Sequence, residues 1–322
     1  LQDKKTFALL KKGGGVGVFQ CESPGMRELM KKLQPSKFED IIALIALYRP
    51  GPLNSGMTDD FVKRKKNPKL IEYPHKSLKH TLEDTYGVIV YQEQVMLISQ
   101  IIGGFELKDA DNLRKVMGKK DATKLPAMQE KFVAGALAKG YQQDFAEHLF
   151  SQMAKFAEYG FNKSHSAAYA YVAYHTAYLK AHYPVEYMSA VLNAEKNKID
   201  SLTKYIKECA VLKIKIHPPH VNSSMLDFDL EDEEGIRFGL SAIKNVGEAN
   251  IREIITEREK NGPYNTFAEL LTRVDMGKKV LETLAMAGAL DGLVPNRKSV
   301  IHNMEKILAF INLAKKDRNS GM

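Results

Sequence analysis

The 322-residue sequence predicts a mainly α-helical protein with a small β insert. Three observations support this. Apolar residues recur at helical spacing through most of residues 1–205. Proline and glycine punctuate those runs where helices would start or stop. One short region, near 206–235, alternates as strands do.

The elements follow in order. "SPGMRELMKKLQPSKFEDIIALIALY" reads as helix, with Ser23 and Pro24 as a start signal. Pro50, Gly51 and Pro52 break it, and "FVKRKKNPKL" reads as a basic loop. "GVIVYQEQVMLISQIIGG" opens β-like, continues as an amphipathic helix and stops at Gly103-Gly104. Helices are expected over 109–117, 121–139, 143–157 and 166–182, the last stopped by Pro184. "KIKIHPPHVNSS" and "DFDLEDEEGIRFGL" read as short strands turning near Glu233-Glu234-Gly235. Residues 239–260 and 276–305 each read as helix–turn–helix, and an amphipathic basic helix closes the chain.

Charge bounds the function. Forty-seven Lys and Arg against 39 Asp and Glu leave a net +8, which points to a polyanionic partner. On charge alone that partner is either nucleic acid or a membrane surface; no apolar run approaches the roughly 18 residues that span a bilayer, so no place within a membrane is expected. Cys21 and Cys209 are too few and too far apart for a disulfide framework or a zinc cluster, and a reducing cytoplasm is the simple reading. The opening "LQDKKTFALL" reads like the interior of a longer protein.

Several motifs invite chemistry. "GGGVGVFQ" lacks the Gly-Lys-Ser/Thr ending of a phosphate loop and reads as a turn. Asp109 and Asp111, two apart on a helix, point about 200° apart and cannot share a metal. Asp227 and Asp229 would share a strand face and could hold Mg²⁺, but they run on into a solvated acidic hairpin. "LRKVMGKKDATKL" gathers Arg114, Lys115, Lys119, Lys120 and Lys124, either to complement a helix C-terminus or to bind phosphate. "EYGFNKSHSAAYAYV" places Asn162, Lys163, Ser164, His165 and Ser166 at a helix start. Cap, anion site and general acid–base group all stay open there. Tyr171, Tyr174 and Tyr178 recur at helical spacing, as packing residues do.

"GLSAIKNVGEANIREIITERE" resembles a helix-hairpin-helix motif, in which turn amides and a helix N-terminus grip a DNA phosphate without reading sequence. Its candidate contacts are Lys244, Asn245, Gly247 and Asn250. "VLETLAMAGALDGLVPNRKSVI" is the candidate partner hairpin, with Gly288 and Gly292 in its turn and Arg297 and Lys298 beside it.

Together, "GVFQCESPGMRELMKKLQP", "FEDIIALIALYRPGPLNSGM", "YGVIVYQEQVM", "DNLRKVMGKK", "FAEYGFNKSHSAAYAYVAYHTAYLKAHYPVEYMSAVLN" and "GLSAIKNVGEANI" resemble the alpha subunit of bacterial DNA polymerase III, the C-family replicative polymerase. The resemblance implies fingers over 1–205, a β-containing connector over 206–235, and tandem helix-hairpin-helix units with a C-terminal helix over 236–322. It implies that Arg114, Lys115 and His165, with Lys119, Lys163 and Arg49, hold the triphosphate of an incoming dNTP. It also implies primer-template DNA, a sliding clamp and other replisome subunits as partners of a longer protein. Catalysis there is Mg²⁺-dependent, and the family's palm aspartates have no match in this sequence. The chain alone is therefore expected to be inactive, with no catalytic or metal-binding residue of its own. A non-enzymatic helix-hairpin-helix DNA-binding protein is the alternative.

Overall fold

The computed structural model describes residues 1–119, 123–157 and 159–320. They pack as two units, Leu1–His182 and Tyr183–Met322.

The first unit is all helix: α1 (Lys4–Lys11), α2 (Pro24–Leu33), α3 (Phe38–Leu47), α4 (Pro50–Asn54), α5 (Met57–Lys66), α6 (Lys79–Leu82), α7 (Gln92–Ile101), α8 (Leu107–Gly118), α9 (Leu125–Ala138), α10 (Gln143–Ala157) and α11 (Lys163–His182). α2 starts as its sequence implies: Pro24 sits at the first position and the Ser23 hydroxyl accepts the Met26 N–H at 3.3 Å. α3 is apolar all round and buried from Asp40 to Leu47, which requires neighbours on every side. α11 is one of them. Its small residues Ala170, Ala173 and Ala177 are buried, and the Ser166 hydroxyl donates to the Ile42 carbonyl at 2.5 Å. Small side chains let the two backbones come that close. One core joins α1, α2, α3, α5 and α11. A second gathers Val95, Ile98, Leu113, Phe132 and Phe150 from α7 to α10. Each such buried side chain contributes roughly 1.5–3 kcal/mol of transfer free energy.

Asp40 braces the first core. Its carboxylate is fully buried and accepts from the Ser36 N–H at 2.8 Å, Lys37 N–H at 3.1 Å, Lys65 Nζ at 2.6 Å and Tyr86 hydroxyl at 3.0 Å. "FVKRKK" is therefore no loop. Phe61 and Val62 are buried in α5, and Lys63 to Lys66 form its last turn, where cations complement the helix C-terminus. The loop starts only at Asn67. "GGGVGVFQ" is a turn, with Gly13 and Gly17 at positive φ. The Gly14 and Val16 carbonyls accept from the buried Lys180 ammonium at 3.0 and 2.6 Å.

The second unit holds α12 (Pro184–Glu195), α13 (Ile199–Val211), β1 (Lys215–His217), β2 (Asp229–Asp232), β3 (Gly235–Arg237), α14 (Glu248–Asn261), α15 (Phe267–Arg273), α16 (Lys278–Ala287), α17 (Arg297–His302) and α18 (Met304–Ser320). The sheet has the order β1-β3-β2: β2 and β3 form the expected hairpin and β1 lies parallel to β3. α14 to α18 close over their own core, which includes Ile251, Ile254, Leu270, Leu281 and Leu284.

Candidate nucleotide and nucleic-acid sites

The start of α11 is held from two sides. Asn162 is its cap: its Oδ1 accepts the His165 N–H at 2.8 Å and its carbonyl accepts the Ser166 N–H at 3.1 Å. The Lys163 N–H donates to both Glu93 oxygens at 3.0 Å. Cap and anion are thus both present, and the anion comes from within the chain. The helix begins a residue or more earlier than "SHS" suggests, because Asn162 rather than a serine caps it.

A single backbone bridge puts this start beside α7. Tyr91 pairs with Phe161, the Gln92 N–H donates to the Phe161 carbonyl at 3.0 Å, and the Phe161 N–H donates to Val90 at 3.2 Å. Around Phe161 the predicted cations gather. Arg49 lies 4.5 Å over its ring and donates to the Tyr159 carbonyl at 2.6 Å and the Ala46 carbonyl at 2.8 Å. Burial lowers its pKa from the ordinary arginine value. The exposed His165 ring packs between Phe161 at 5.6 Å and Tyr169 at 4.3 Å. Lys163 Nζ lies 5.4 Å over the Tyr91 ring and 4.0 Å from Asp84. Arg114, on α8, reaches the same segment through Gln92, donating to its Oε1 at 3.1 Å.

Lys115 is not tied to that segment. Its ammonium pairs with Asp111 at 2.7 Å, while Arg114 takes the other Asp111 oxygen at 2.8 Å. Hydrogen bonds from Lys115, then Arg114, hold the Asp111 carboxyl below its usual range. Lys119 is exposed just past the end of α8, and Lys120 lies outside the described residues. Asp109 pairs instead with Lys131 at 2.7 Å, so the two aspartates diverge as helical spacing requires. Asp227 pairs with Lys196 and accepts from Ser241 at 2.9 Å, and Asp229 lies on exposed β2. Among the described residues no three His, Cys, Asp or Glu side chains converge as a metal site. Sequence reasoning missed Gln92 and Glu93. The available signal was a polar pair directly after a β-like run, at a helix start.

In the second unit, a short 3₁₀ turn (Leu240–Ala242) leads through residues 243–247 into α14. Leu240, Ile243, Val246 and Ile251 are buried, leaving Lys244, Asn245 and Gly247 on the outside, with Asn250 half-buried. The left-handed residue is Asn245, at φ 63°, and not Gly247, which caps α14 in extended backbone at φ −68°. What Gly247 provides is open space: a Cβ there would meet only Asn250 Nδ2, at 3.6 Å. In the other hairpin, Gly288 and Gly292 do take positive φ. Arg297, however, is clamped by Asp291 at 2.9 and 2.5 Å, while Lys298 stays exposed.

The comparisons with known proteins fit this layout. Residues 1–140 match the model of the bacterial DNA polymerase III alpha subunit finger domain, and residues 213–300 match a helix-hairpin-helix motif. The chain is 48% identical over 318 residues to DNA polymerase III subunit alpha of Helicobacter pylori strain 26695, covering 95% of this chain and 26% of that protein. It is 46% identical over 312 residues to the Escherichia coli K12 subunit, covering 94% of this chain and 27% of that protein. Over nearly its whole length the sequence is similar to DNA polymerase III alpha subunits. It spans about a quarter of the length of these alpha subunits. The Aquifex aeolicus alpha subunit is 46% identical over 314 residues. The finger-domain match ends before α10, so Lys163 and His165 lie beyond it but inside the first packed unit. The helix-hairpin-helix match takes in both hairpins of the second. No described helix is long and apolar enough to cross a membrane.

Proposed function

We propose that this segment serves a replicative DNA-directed DNA polymerase by holding the incoming dNTP and the primer-template duplex. The functional fingers run from 1 to about 205, and the helix-hairpin-helix part begins near 236. One observation carries the reading: Arg49, Lys163, His165 and, through Gln92, Arg114 gather at the Phe161 segment. Two arginines, a lysine and a histidine placed so would position a triphosphate, and the cations among them would offset charge developing on the leaving pyrophosphate during nucleotidyl transfer. Lys115 and Lys119 extend the positive field along α8. Glu93 stands where a phosphate oxygen would accept the Lys163 N–H.

The Mg²⁺ that such transfer uses finds no fitting ligand set among the described residues. Both paired-aspartate motifs are engaged by local cations or lie exposed on a strand. The chain alone should not extend a primer. Clamp and replisome contacts belong to the whole cytoplasmic protein. The rival reading, a DNA-binding protein built on the hairpins alone, leaves the finger-domain match over residues 1–140 unexplained.

In the full-length subunit, His165→Ala should raise the KM for dNTP about three- to tenfold, the loss of one ordinary polar contact. Unchanged nucleotide kinetics in primer extension would refute the assignment. On the DNA side, Lys244 is exposed and forms no ion pair among the described residues, whereas Arg297 is already paired with Asp291. Lys244→Glu should weaken duplex binding equally across sequences and lower the salt slope by about 1. Arg297→Ala should change affinity less than twofold, roughly the scale of an exposed, already paired charge. Fluorescence anisotropy over a salt series tests both, and a sequence-selective loss for Lys244→Glu would argue against backbone contact.

A further inference from the structure

Two glutamines, Gln92 and Gln94, lie two residues apart at the start of α7 and do different work. Gln94 is buried. Its Oε1 accepts the Val90 and Tyr91 N–H groups at 2.8 and 3.0 Å, and its Nε2 donates to the Thr81 carbonyl at 3.1 Å and the Thr85 hydroxyl at 2.8 Å. That set ties the chain to itself and explains Gln94 as a structural residue.

Gln92 is only half-buried, and among the described residues its side chain makes no hydrogen bond within its own helix. Its N–H donates to the Phe161 carbonyl at 3.0 Å, its Nε2 to the Gly160 carbonyl at 3.3 Å, and its Oε1 accepts Arg114 Nη1 at 3.1 Å. The amide can have only this orientation, since a guanidinium only donates and a carbonyl only accepts. Among the described residues the other hydrogen bonds of Arg114 run to Asp111, three residues before it on the same helix, at 3.0 and 2.8 Å. A partly exposed intrahelical pair of that kind is weak and does not fix the guanidinium relative to another element. Gln92 supplies the missing fix, linking α8 to the segment that carries Phe161, Lys163 and His165.

We infer that Gln92 is a positioning residue of the nucleotide site, holding the Arg114 guanidinium against the 159–163 segment in the orientation that receives a phosphate. This rests on the nucleotide-binding reading of Arg114 given above. The side chain need not touch substrate. It presents a planar donor in one orientation, which lowers the ordering cost when the triphosphate arrives.

A double-mutant cycle in the full-length subunit tests it, with Gln92→Met, Arg114→Ala and the pair measured by steady-state primer extension. Gln92→Met keeps the shape of the side chain and removes both of its hydrogen bonds. It should raise the KM for dNTP about fivefold, with kcat within about twofold and an unchanged Tm. Gln94→Met, the structural control, should lower Tm. In the double variant, Gln92→Met should add nothing to the effect of Arg114→Ala, because it acts only through that side chain. Fold-changes that multiply in the double variant would overturn the inference, as would a normal KM for Gln92→Met beside a raised KM for Arg114→Ala. A normal KM for Arg114→Ala would instead bring down the nucleotide-site reading, and this inference with it.

Discussion

Arg114→Ala in the full-length subunit should raise the KM for dNTP by about 10- to 100-fold, the range for losing hydrogen bonds to a charged group. It should outweigh His165→Ala for a reason visible in the geometry. Asp111 is shared by Arg114 and Lys115, so removing the arginine leaves that carboxylate with a single cation. The variant loses the proposed phosphate donor and uncovers a negative charge next to it. Arg114→Lys should recover little, because an ammonium cannot face Asp111 and Gln92 along fixed, coplanar directions as a guanidinium does. Primer extension over a dNTP series measures both variants. A KM within twofold of the parent for Arg114→Ala would remove this residue from the site.

The second large effect concerns stability. Lys65→Met should destabilise the first unit by about 3–5 kcal/mol at pH 7, the usual result of removing one partner of a buried ion pair. Asp40 is fully enclosed and Lys65 is its cation, so the variant keeps a buried carboxylate without a counter-charge. The pH dependence has a definite sign. Burial on its own would raise the Asp40 pKa. The Lys65 hydrogen bond and charge, with the Ser36 and Lys37 N–H groups, outweigh burial and hold it below its ordinary 3.8. In the parent, this contribution to stability is complete above that value and is lost as pH falls through the lower folded pKa. Without Lys65 the folded pKa rises, so the carboxyl can take up a proton at a higher pH. The deficit of Lys65→Met against the parent should therefore shrink as pH is lowered from 7 towards 4. Urea unfolding of the first unit at several pH values checks this, and a deficit that is constant or grows on acidification contradicts it.

Much of the architecture was legible because it depends on local rules. Ser23-Pro24 marks a helix start, Gly103-Gly104 follows a helix end, and the alternation around Glu233-Glu234-Gly235 encodes a hairpin. The basic run at 63–66 has the charge of a loop and is nevertheless helix. The two apolar residues ahead of it, Phe61 and Val62, decide the matter by entering a core that only the folded chain possesses.

The candidate site divides along the same line. The sequence by itself determined which side chains are available: the cations at 49, 114 and 163, the histidine at 165 and the hairpin at 240–250 are set by residue type and near-neighbour spacing. It also determined that Asp109 and Asp111 diverge, since helical geometry leaves no alternative. Only the tertiary structure decided which cations meet and which are already spent. Arg114 and His165 are 51 residues apart in sequence, and the Tyr91–Phe161 bridge with Gln92 relates them. Arg297 resembles Lys244 in the sequence, yet Asp291 neutralises one and the other pairs with no carboxylate among the described residues. The physical reason is range. Helix caps, turns and side-chain periodicity act within about four residues. The orientation of a guanidinium or the neutralisation of a charge depends on partners that the fold brings from far along the chain.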